Sequence, residues 1–240
     1  MESVKELQKK HYDKMAYLYR EKIDTKAYKY YFNITSSVIL KHLKSNLKNL
    51  KNCSGLDVGC GNGDLVAFLS EECRTITGID ISGSMIKIAR KENKKENANF
   101  LVSTSDELPF ENNKFDFCLT VHTFHHLGDL EIMDKTIKEM KRVTKKSGII
   151  LVIDVNKVNP ISFLIQYLMI KEGVDTGKEK LVWPWYFINQ FKNEKIKLIK
   201  YESFCFIPHF FPKIKKYDEF LGKIIFLNKF GKDYLITGRR

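Results

Sequence analysis

The sequence predicts an α/β fold, in which a doubly wound, seven-stranded, mostly parallel sheet carries an antiparallel C-terminal hairpin and a small helical cap. Two observations lead to this prediction. Short β-branched or apolar runs alternate with helical segments between residues 54 and 155, which is typical of a parallel sheet with helices on both faces. After Asp154 the alternation stops, and a segment with both tryptophans of the chain precedes two more predicted strands.

The predicted elements follow in order along the chain. Two helices come first, and in the second of them Ile39, Leu43 and Leu47 recur at helical spacing. Predicted strands cover 54–58, 75–79, 99–102, 115–121 and 148–155, and predicted helices cover 3–22, 26–49, 63–71, 83–93 and 130–143. Residues 159–169 are strongly apolar and predict a further helix. Strands over 196–206 and 232–238 are expected to form the antiparallel hairpin at the sheet edge.

These elements divide the chain into four parts. Residues 1–50 are expected to form N-terminal helices that close over a ligand pocket, and residues 51–155 a ligand-binding core. Residues 156–195 are expected to form a cap that contacts the substrate, and residues 196–240 the strands that complete the sheet. A length of 240 residues fits one domain with a modest addition.

The net charge of +12 is spread unevenly. Residues 1–50 carry a net charge of +6, residues 51–155 of −2, and residues 156–240 of +8. Basic flanks favour an anionic substrate, a nucleic acid or a membrane surface. The lysines are dispersed, however, so they can equally be solvated surface residues. Both interpretations remain open at this stage.

The cysteine pattern and the apolar runs predict a cytoplasmic protein. The five cysteines are scattered without a C-x-x-C pair, which fits a reducing compartment and argues against a zinc site. No apolar run is long enough to cross a bilayer. The N-terminal residues are charged and lack the apolar core of a signal peptide. The sequence does not predict an oligomeric state.

The most informative segment joins the first predicted strand to the helix after it. Gly59, Gly61 and Gly63 leave the backbone bare, so that a ligand can approach it closely. The dinucleotide fingerprint G-x-G-x-x-G is absent, because an aspartate stands at position 64. Asp57 at the strand end would repel a pyrophosphate and suits a cationic ligand. S-adenosylmethionine (SAM) is such a ligand, because it carries an ammonium and a sulfonium and no phosphate.

Further acids follow the next two strands. Asp80 ends the second strand 19 positions after Gly61, where it could accept both ribose hydroxyls of an adenosine or simply cap the next helix. Asp106 lies in a loop after the third apolar run and could accept the adenine amino group or face solvent. The carboxyl ends of parallel strands meet at one edge of the sheet, so these acids should converge with Val121 and His122.

Three motifs carry a family resemblance: D-V-G-C-G-N-G at 57–63, G-I-D-I-S-x-x-M-I at 78–86, and D-E-L-P-F-x-x-x-x-F-D at 106–116. In this order the motifs resemble the class I SAM-dependent methyltransferases, in the type-11 or ubiquinone-biosynthesis-like branch. The resemblance is continuous over 53–154. It implies a Rossmann-like methyltransferase fold, SAM as cofactor and S-adenosylhomocysteine as product.

The resemblance also implies a set of cofactor contacts. The matching glycines would lie against the methionine part of SAM, and the matching acid would orient its amino group. The full set is Tyr19, Asp57, Gly59, Cys60, Gly61, Asp80, Ile81, Met85, Asp106, Glu107, Val121 and His122. Ile81 and Met85 can equally be core residues. The match at Tyr19 is looser, since Arg20 replaces the usual acid and the segment can be an ordinary amphipathic helix.

No catalytic residue is assigned, and His126 and His125 are the candidates, with His126 slightly ahead. Both follow the fourth strand, where a histidine could take a proton from a hydroxyl during methylation. The resemblance implies instead that the histidine pair lines the pocket. His122 and His126 would share a helical face like a metal pair, but no third ligand lies near them in sequence. No metal is therefore expected.

The predicted function is SAM-dependent methyl transfer to an oxygen, nitrogen or carbon of a small molecule, mainly by proximity and orientation. The basic flanks favour an anionic acceptor. Trp183, Trp185 and Tyr186 are expected to cover the substrate or to pack the cap. One alternative is RNA methylation through the basic flanks, although Thr120 to Thr123 lack the motif of base amino methylation. Others are a nonenzymatic SAM-binding module and an NAD-linked oxidoreductase, which Asp57 and Asp64 disfavour.

Overall fold

The protein is described by a computed structural model that covers residues 3–23, 25–206 and 229–240, with the backbone alone at 19–23, 27 and 161. Its strands are β1 Ser54–Val58, β2 Thr75–Asp80, β3 Ala98–Val102, β4 Phe115–Val121, β5 Thr144–Val155, β6 Lys197–Phe204 and β7 Asp233–Arg239. Its helices are α1 Val4–Ile23, α2 Lys26–Asn46, α3 Asp64–Ser70, α4 Gly83–Glu92, α5 Phe124–Leu127, α6 Leu130–Val143, α7 Pro160–Lys171 and α8 Pro184–Asn193. Part of the predicted C-terminal segment, 207–228, falls outside the described residues.

The seven strands form one sheet in the order β3-β2-β1-β4-β5-β7-β6. Strands β1 to β5 are parallel, and β7 pairs antiparallel with both β5 and β6. The predicted doubly wound sheet with an antiparallel C-terminal hairpin is confirmed. Because the strand order reverses beside β1, the carboxyl ends of β1 and β4 border a crevice, which is where open α/β sheets bind ligands.

Two apolar layers enclose the sheet. On one face, α2 and α3 contribute Ile39, Leu43 and Leu69, which pack on Phe117 of β4. On the other face, α6 and α8 pack on β4, β5 and β7 through residues that include Met133, Ile137, Phe187, Phe191 and Val152. The central strands are covered on both faces, which explains why their sequences are almost continuously apolar.

Two helices were not predicted. The first, α5, is a single turn of four residues, too short to show helical periodicity. The second, α8, begins with Pro184 in its first turn, where the missing N–H costs nothing. Phe187 and Phe191 lie one turn apart on its buried face. Strand β5 begins at Thr144 and not at 148, because Thr144 pairs with Phe115 across a register irregularity.

The described part of the chain contains no helix that is long and apolar enough to cross a membrane. The five cysteines are buried, and none of them forms a disulfide bond.

Candidate active site

The glycine turn after β1 adopts a backbone that other residues rarely reach. Gly59, Gly61 and Gly63 have φ values of +80°, +53° and +83°. A Cβ on Gly59 would stand 2.2 Å from Oγ1 of Thr123, so this glycine is required by close packing. A Cβ on Gly61 would meet no protein atom within 4 Å. The backbone at Gly61 therefore faces open space, as a ligand cradle requires.

Asp57 lies beneath this turn, in the last part of β1. Its side chain is buried, with 2% of the residue exposed, and no group of the described residues donates a hydrogen bond to its carboxylate. Burial, together with the nearby Asp80 carboxylate, raises the pKa of Asp57 to about 8. An acid in this state gains most from a cationic ligand, because a neighbouring positive charge restores the carboxylate.

Asp80 ties the glycine turn to β2. Its Oδ2 accepts a hydrogen bond from the Gly61 N–H at 2.9 Å, and its Oδ1 accepts one from the Ser82 N–H at 2.9 Å. The N-cap of α4 is Ser82 itself, whose hydroxyl accepts from the Met85 N–H, so Asp80 is not the helix cap. Burial raises the pKa of Asp80 despite these hydrogen bonds.

Helix α1 covers the start of α4. The Asp13 carboxylate accepts hydrogen bonds from the Ser82 hydroxyl at 2.7 Å and from the Ser84 N–H at 3.1 Å. Met85 is buried in a small apolar cluster with Ala16 and Ile88. Met85 thus lies between α1 and α4, a position that fits the interpretation of Met85 as a core residue. Of the other predicted contacts, Ile81 is half-buried and Cys60 is buried. The side chain of Tyr19 lies outside the described residues.

The loop between β3 and β4 carries the next two predicted contacts. Lys5 of α1 donates to both oxygens of Asp106, at 2.8 and 3.1 Å. Burial alone would raise the pKa of Asp106, but Lys5 and neighbouring hydrogen-bond donors hold it below its ordinary value. Glu107 is exposed. The Arg142 guanidinium fixes this loop by donating to the carbonyls of Leu108 and Phe110, at 2.9 and 2.7 Å.

His125 forms a buried pair with Asp154 at the end of β5. The Asp154 carboxylate contacts Nδ1 of the imidazole and accepts the His125 backbone N–H at 3.0 Å. The residues are 6% and 1% exposed. Burial by itself would lower the pKa of His125, but the Asp154 carboxylate raises it above the ordinary value. Burial would raise the pKa of Asp154, and His125 lowers it.

The other two histidines have different partners. The Tyr12 hydroxyl of α1 lies 3.2 Å from Nε2 of His126, and Oε1 of Glu179 lies 3.6 Å from its Nδ1. Burial and the adjacent His125 lower the pKa of His126 to about 4. His122 follows the half-buried Val121 with a φ of +52°, and its Nε2 lies 3.7 Å from Oδ2 of Asp233.

The aromatic residues of the cap divide into an exposed pair and a half-buried tyrosine. Trp183 and Trp185 stack on each other with ring centroids 4.6 Å apart, and they are 40% and 51% exposed. Tyr186 donates a hydrogen bond to Asp134 of α6. The preceding segment also touches the site, because the Lys180 N–H donates to the His125 carbonyl at 2.7 Å. The role of the aromatic residues in covering a substrate stays a prediction.

Two groups of side chains bring their ligand atoms within 4.8 Å of one another: His122, His125 and Asp154, and His126, Asp175 and Glu179. The expectation that no third ligand lies near these histidines is therefore wrong, because each of them lies within 4.8 Å of two other candidate ligands in the folded chain. In both groups, however, the facing atoms already share hydrogen bonds. His125 and Asp154 are bonded to each other, and Glu179 accepts from Gln8, from Thr176 and from the Gly177 N–H. We interpret both groups as hydrogen-bond networks, and the absence of a metal stays a prediction.

Comparison with known proteins adds the family. Residues 56–152, which contain the glycine turn, the three acids and the histidines, match the methyltransferase domain family. The chain is 29% identical over 170 residues to the ubiquinone biosynthesis O-methyltransferase of Pelagibacter ubique, an alignment that covers 68% of this chain and 70% of that enzyme. Residues 56–152 thus form a methyltransferase domain, and the chain is similar to SAM-dependent methyltransferases. The predicted family, fold and enzyme class are thereby confirmed.

Two further comparisons extend this result. This methyltransferase is 29% identical over 121 residues to the demethylmenaquinone methyltransferase of Staphylococcus aureus, in an alignment that spans about half of each chain, 49%. A SAM-dependent methyltransferase structure from Archaeoglobus fulgidus superposes with a TM-score of 0.63, at 22% identity, over 93% of this chain and 99% of that one. At that identity the superposition shows the shared fold alone.

Sequence reasoning missed the residues that surround the histidines. Asp154 is an acid at the carboxyl end of β5, beside β4 in the sheet, so the rule that selected Asp57 and Asp80 could have selected it too. Gln8 and Glu179 carry no such signal. Their contact depends on how α1 and the cap fold over the core.

Proposed function

We propose that this methyltransferase binds SAM at the glycine turn and transfers its methyl group to a small-molecule acceptor, chiefly by alignment. One observation carries the proposal: the buried carboxylate of Asp57 and the half-buried carboxylate of Asp80 lie at the ends of adjacent strands, beside a backbone left open at Gly61. Withdrawing two neighbouring acids from water without a cation is costly. A ligand with an ammonium and a vicinal diol would offset that cost.

Each predicted contact then has a role in the proposal. Asp57 would face the ammonium of SAM, and the backbone from Gly59 to Gly61 would lie along its methionine part. Asp80 would accept hydrogen bonds from the ribose hydroxyls. Asp106 would accept one from the adenine amino group, for which Lys5 has to share or release the Asp106 carboxylate. The remaining predicted contacts would line the same pocket: Tyr19, Cys60, Ile81, Met85, Glu107, Val121 and His122.

Methyl transfer from SAM requires little from the protein beyond positioning of the reactants. The sulfonium of bound SAM supplies a methyl group that is already activated for transfer. The protein has to align the acceptor with that methyl carbon and exclude water. Residues 51–155 would hold the donor, while residues 1–50 and 156–195 would close over it and residues 196–240 would complete the sheet.

The names of the two relatives support a quinone-type acceptor, because one acts in ubiquinone biosynthesis and the other on demethylmenaquinone. The basic flanks, with net charges of +6 and +8, favour an anionic form of such a molecule. RNA methylation would draw on the same basic flanks. It predicts RNA binding that weakens steeply with salt, which a filter-binding assay would detect.

Calorimetric titration with S-adenosylhomocysteine tests the proposal. We expect Asp80→Ala to weaken binding by about 1.5–3 kcal/mol, because a charged acceptor is lost. The variant Asp80→Asn keeps the shape and should fall between Asp80→Ala and the unmodified protein. The exposed Glu96→Ala is the matched control and should bind normally. No heat of binding at millimolar ligand would refute the proposal, and so would full affinity in Asp80→Ala.

A further inference from the structure

The pair formed by His125 and Asp154 has no hydrogen bond to the predicted SAM-binding acids among the described residues, and the proposed binding of SAM gives it no role. We propose that His125, held by Asp154, is the general base that removes the proton from a hydroxyl acceptor. The methyl acceptor would then be an oxygen. This inference rests on the proposed function and narrows it from three possible acceptor atoms to one.

The carboxylate of Asp154 fixes the imidazole at two points. One oxygen contacts Nδ1 and the other accepts the backbone N–H of the same histidine. The Val155 N–H donates to Asp154 at 2.7 Å, which fixes the carboxylate in turn. With Nδ1 committed to donating a proton to Asp154, the neutral ring keeps its lone pair on Nε2. That atom is then the one available as a base.

The position of α5 fits this role. Its N-terminal neighbour Thr123 donates to the carbonyl of Val58 at 3.2 Å, so the helix lies against the end of β1, next to the glycine turn. It also contacts the cap, where the Lys180 N–H donates to the His125 carbonyl. His125 therefore lies between the segment that would hold the methyl donor and the segment that would cover the acceptor.

The neighbouring histidines are weaker candidates. A pKa of about 4 makes His126 a poor base near neutral pH, and its imidazole is engaged by Tyr12 and Glu179. Burial lowers the pKa of His122 as well, and its nearest acid is Asp233 at 3.7 Å. Among the three histidines, only His125 has a carboxylate within hydrogen-bond distance to stabilise the imidazolium that forms when the base accepts a proton; the carboxylates nearest His122 and His126 lie 3.7 and 3.6 Å away. The geometry thus favours His125 over His126, which the sequence placed slightly ahead.

The groups facing His125 come from four parts of the chain: Asp154 from β5, His122 from the end of β4, His126 from α5, and Asp175 and Glu179 from the segment after α7. Burial lowers the pKa of His125, and the three acids outweigh it and raise the pKa above the ordinary value. The base is active only in its neutral form, so the rate should rise with pH through a pKa above 6.5.

The reaction step balances with His125 as the only added group. Nε2 of His125 takes the hydroxyl proton as the acceptor oxygen bonds to the methyl carbon. The carbon–sulfur bond breaks, and the sulfur keeps the electron pair. The products are a methyl ether, S-adenosylhomocysteine and an imidazolium, which later loses its proton to solvent.

Two variants separate catalysis from folding. In His125→Asn, an amide N–H can take the place of Nδ1–H and keep the hydrogen bond to Asp154, while Nε2 is lost. In Asp154→Asn, the shape is kept and the charge is lost. The chain also offers a control, because the buried His42 and the half-buried Glu202 form another histidine–carboxylate pair, at 2.9 Å, between α2 and β6. Glu202→Gln repeats the chemical change of Asp154→Asn away from the site.

The probes are 3,4-dihydroxybenzoate, whose hydroxyls need a base, and 4-nitrocatechol, one hydroxyl of which is already ionised at mildly alkaline pH. With radiolabelled SAM, we expect both site variants to lose about 10²-fold or more in kcat on the first probe. The loss on the second probe should be at least tenfold smaller. Asp154→Asn should also move the pH–rate limb, and the His125 pKa measured by NMR of labelled histidine, to lower pH. Glu202→Gln should change none of these.

Three results would overturn the inference while the proposed function stands. One is full S-adenosylhomocysteine affinity in His125→Asn with unchanged kcat. Another is wild-type protein that binds the cofactor product but methylates neither phenol. The third is activity lost in a chelator and restored by Mg²⁺ or Mn²⁺, because a metal would then activate the hydroxyl. By contrast, wild-type protein that does not bind S-adenosylhomocysteine at all would refute the proposed function itself.

Discussion

The raised pKa of Asp57 makes a quantitative prediction about cofactor binding. In the ligand-free protein this acid has a pKa of about 8, set by burial and by Asp80, so it is mostly protonated near neutral pH. Binding a ligand ammonium should require the carboxylate form. S-adenosylhomocysteine should therefore bind more tightly as the pH rises toward 8, and binding near pH 7 should release about 0.9 proton.

The size of the effect follows from the same pKa. If only the ionised form of Asp57 binds, the observed affinity scales with the ionised fraction. With a pKa of about 8, that fraction grows roughly 50-fold between about pH 6 and about pH 8, or about 2.3 kcal/mol of binding free energy. Calorimetry in buffers of different ionisation enthalpy gives both the affinity and the proton release.

The variant Asp57→Asn supplies the control. It should bind more weakly at about pH 8 and lose most of the pH dependence, since the titrating group is gone. Affinity of the unmodified protein that changes less than about twofold over the range would refute the reasoning, as would an equal slope in Asp57→Asn. The stability of the ligand-free protein tests the raised pKa of Asp57 independently. The folded state holds a proton that the unfolded state has lost, so the free energy of unfolding should fall as the pH rises from about 4 to about 8.

Three further predictions concern the framework of the site. Gly59→Ala should lower the free energy of unfolding by at least about 2 kcal/mol, because its Cβ would clash with a threonine hydroxyl. Gly61→Ala should lower it by only about 1 kcal/mol and yet weaken S-adenosylhomocysteine binding. If denaturation shows equal losses of stability and calorimetry equal losses of affinity in the two variants, the prediction is wrong. Arg142→Met should lower the free energy of unfolding by about 1.5–3 kcal/mol and speed hydrogen exchange in the loop that carries Asp106, and unchanged exchange would argue against it. The pKa of Asp13 is lowered to about 2, because hydrogen bonds from Lys9, Ser82 and Ser84 outweigh the effect of burial. The stabilisation that Asp13 contributes is therefore present above about pH 4 and is lost as the pH falls toward about 2. Urea unfolding of Asp13→Asn at several pH values should lack that part of the acid dependence.

The sheet was predictable because its signals are local. Each central strand is a short apolar run between turn residues. Asp57 and Asp80 lie at the end of such a run, and Asp106 lies in the loop that follows the third. Parallel pairing then places those ends together without any knowledge of side-chain packing. Asp57 and Asp80 were found in this way, and their meeting at the glycine turn follows from the order of β1 and β2 alone.

The surroundings of the histidines were not predictable in the same way. The contact between His125 and Asp154 joins residues 29 positions apart, and the one between Tyr12 and His126 joins residues 114 positions apart. Such pairs depend on where α1 and the cap settle on the core, which periodicity does not encode. The sequence therefore ranked His126 and His125 by position alone, whereas their partners and burial give them opposite pKa shifts.

This division between local and distant signals also explains why the family is easier to establish than the acceptor. The family match covers residues 56–152, which include every residue of the glycine turn, the acids and the histidines. Gln8 and Tyr12 lie before that segment, and Asp154 and Glu179 lie after it. Tyr12, Asp154 and Glu179 contact the histidines, and Gln8 donates to Glu179. Since function on this fold depends on such grafted contacts, changes at these four residues should alter acceptor choice more than the binding of the cofactor at Asp57, Asp80 and the glycine turn.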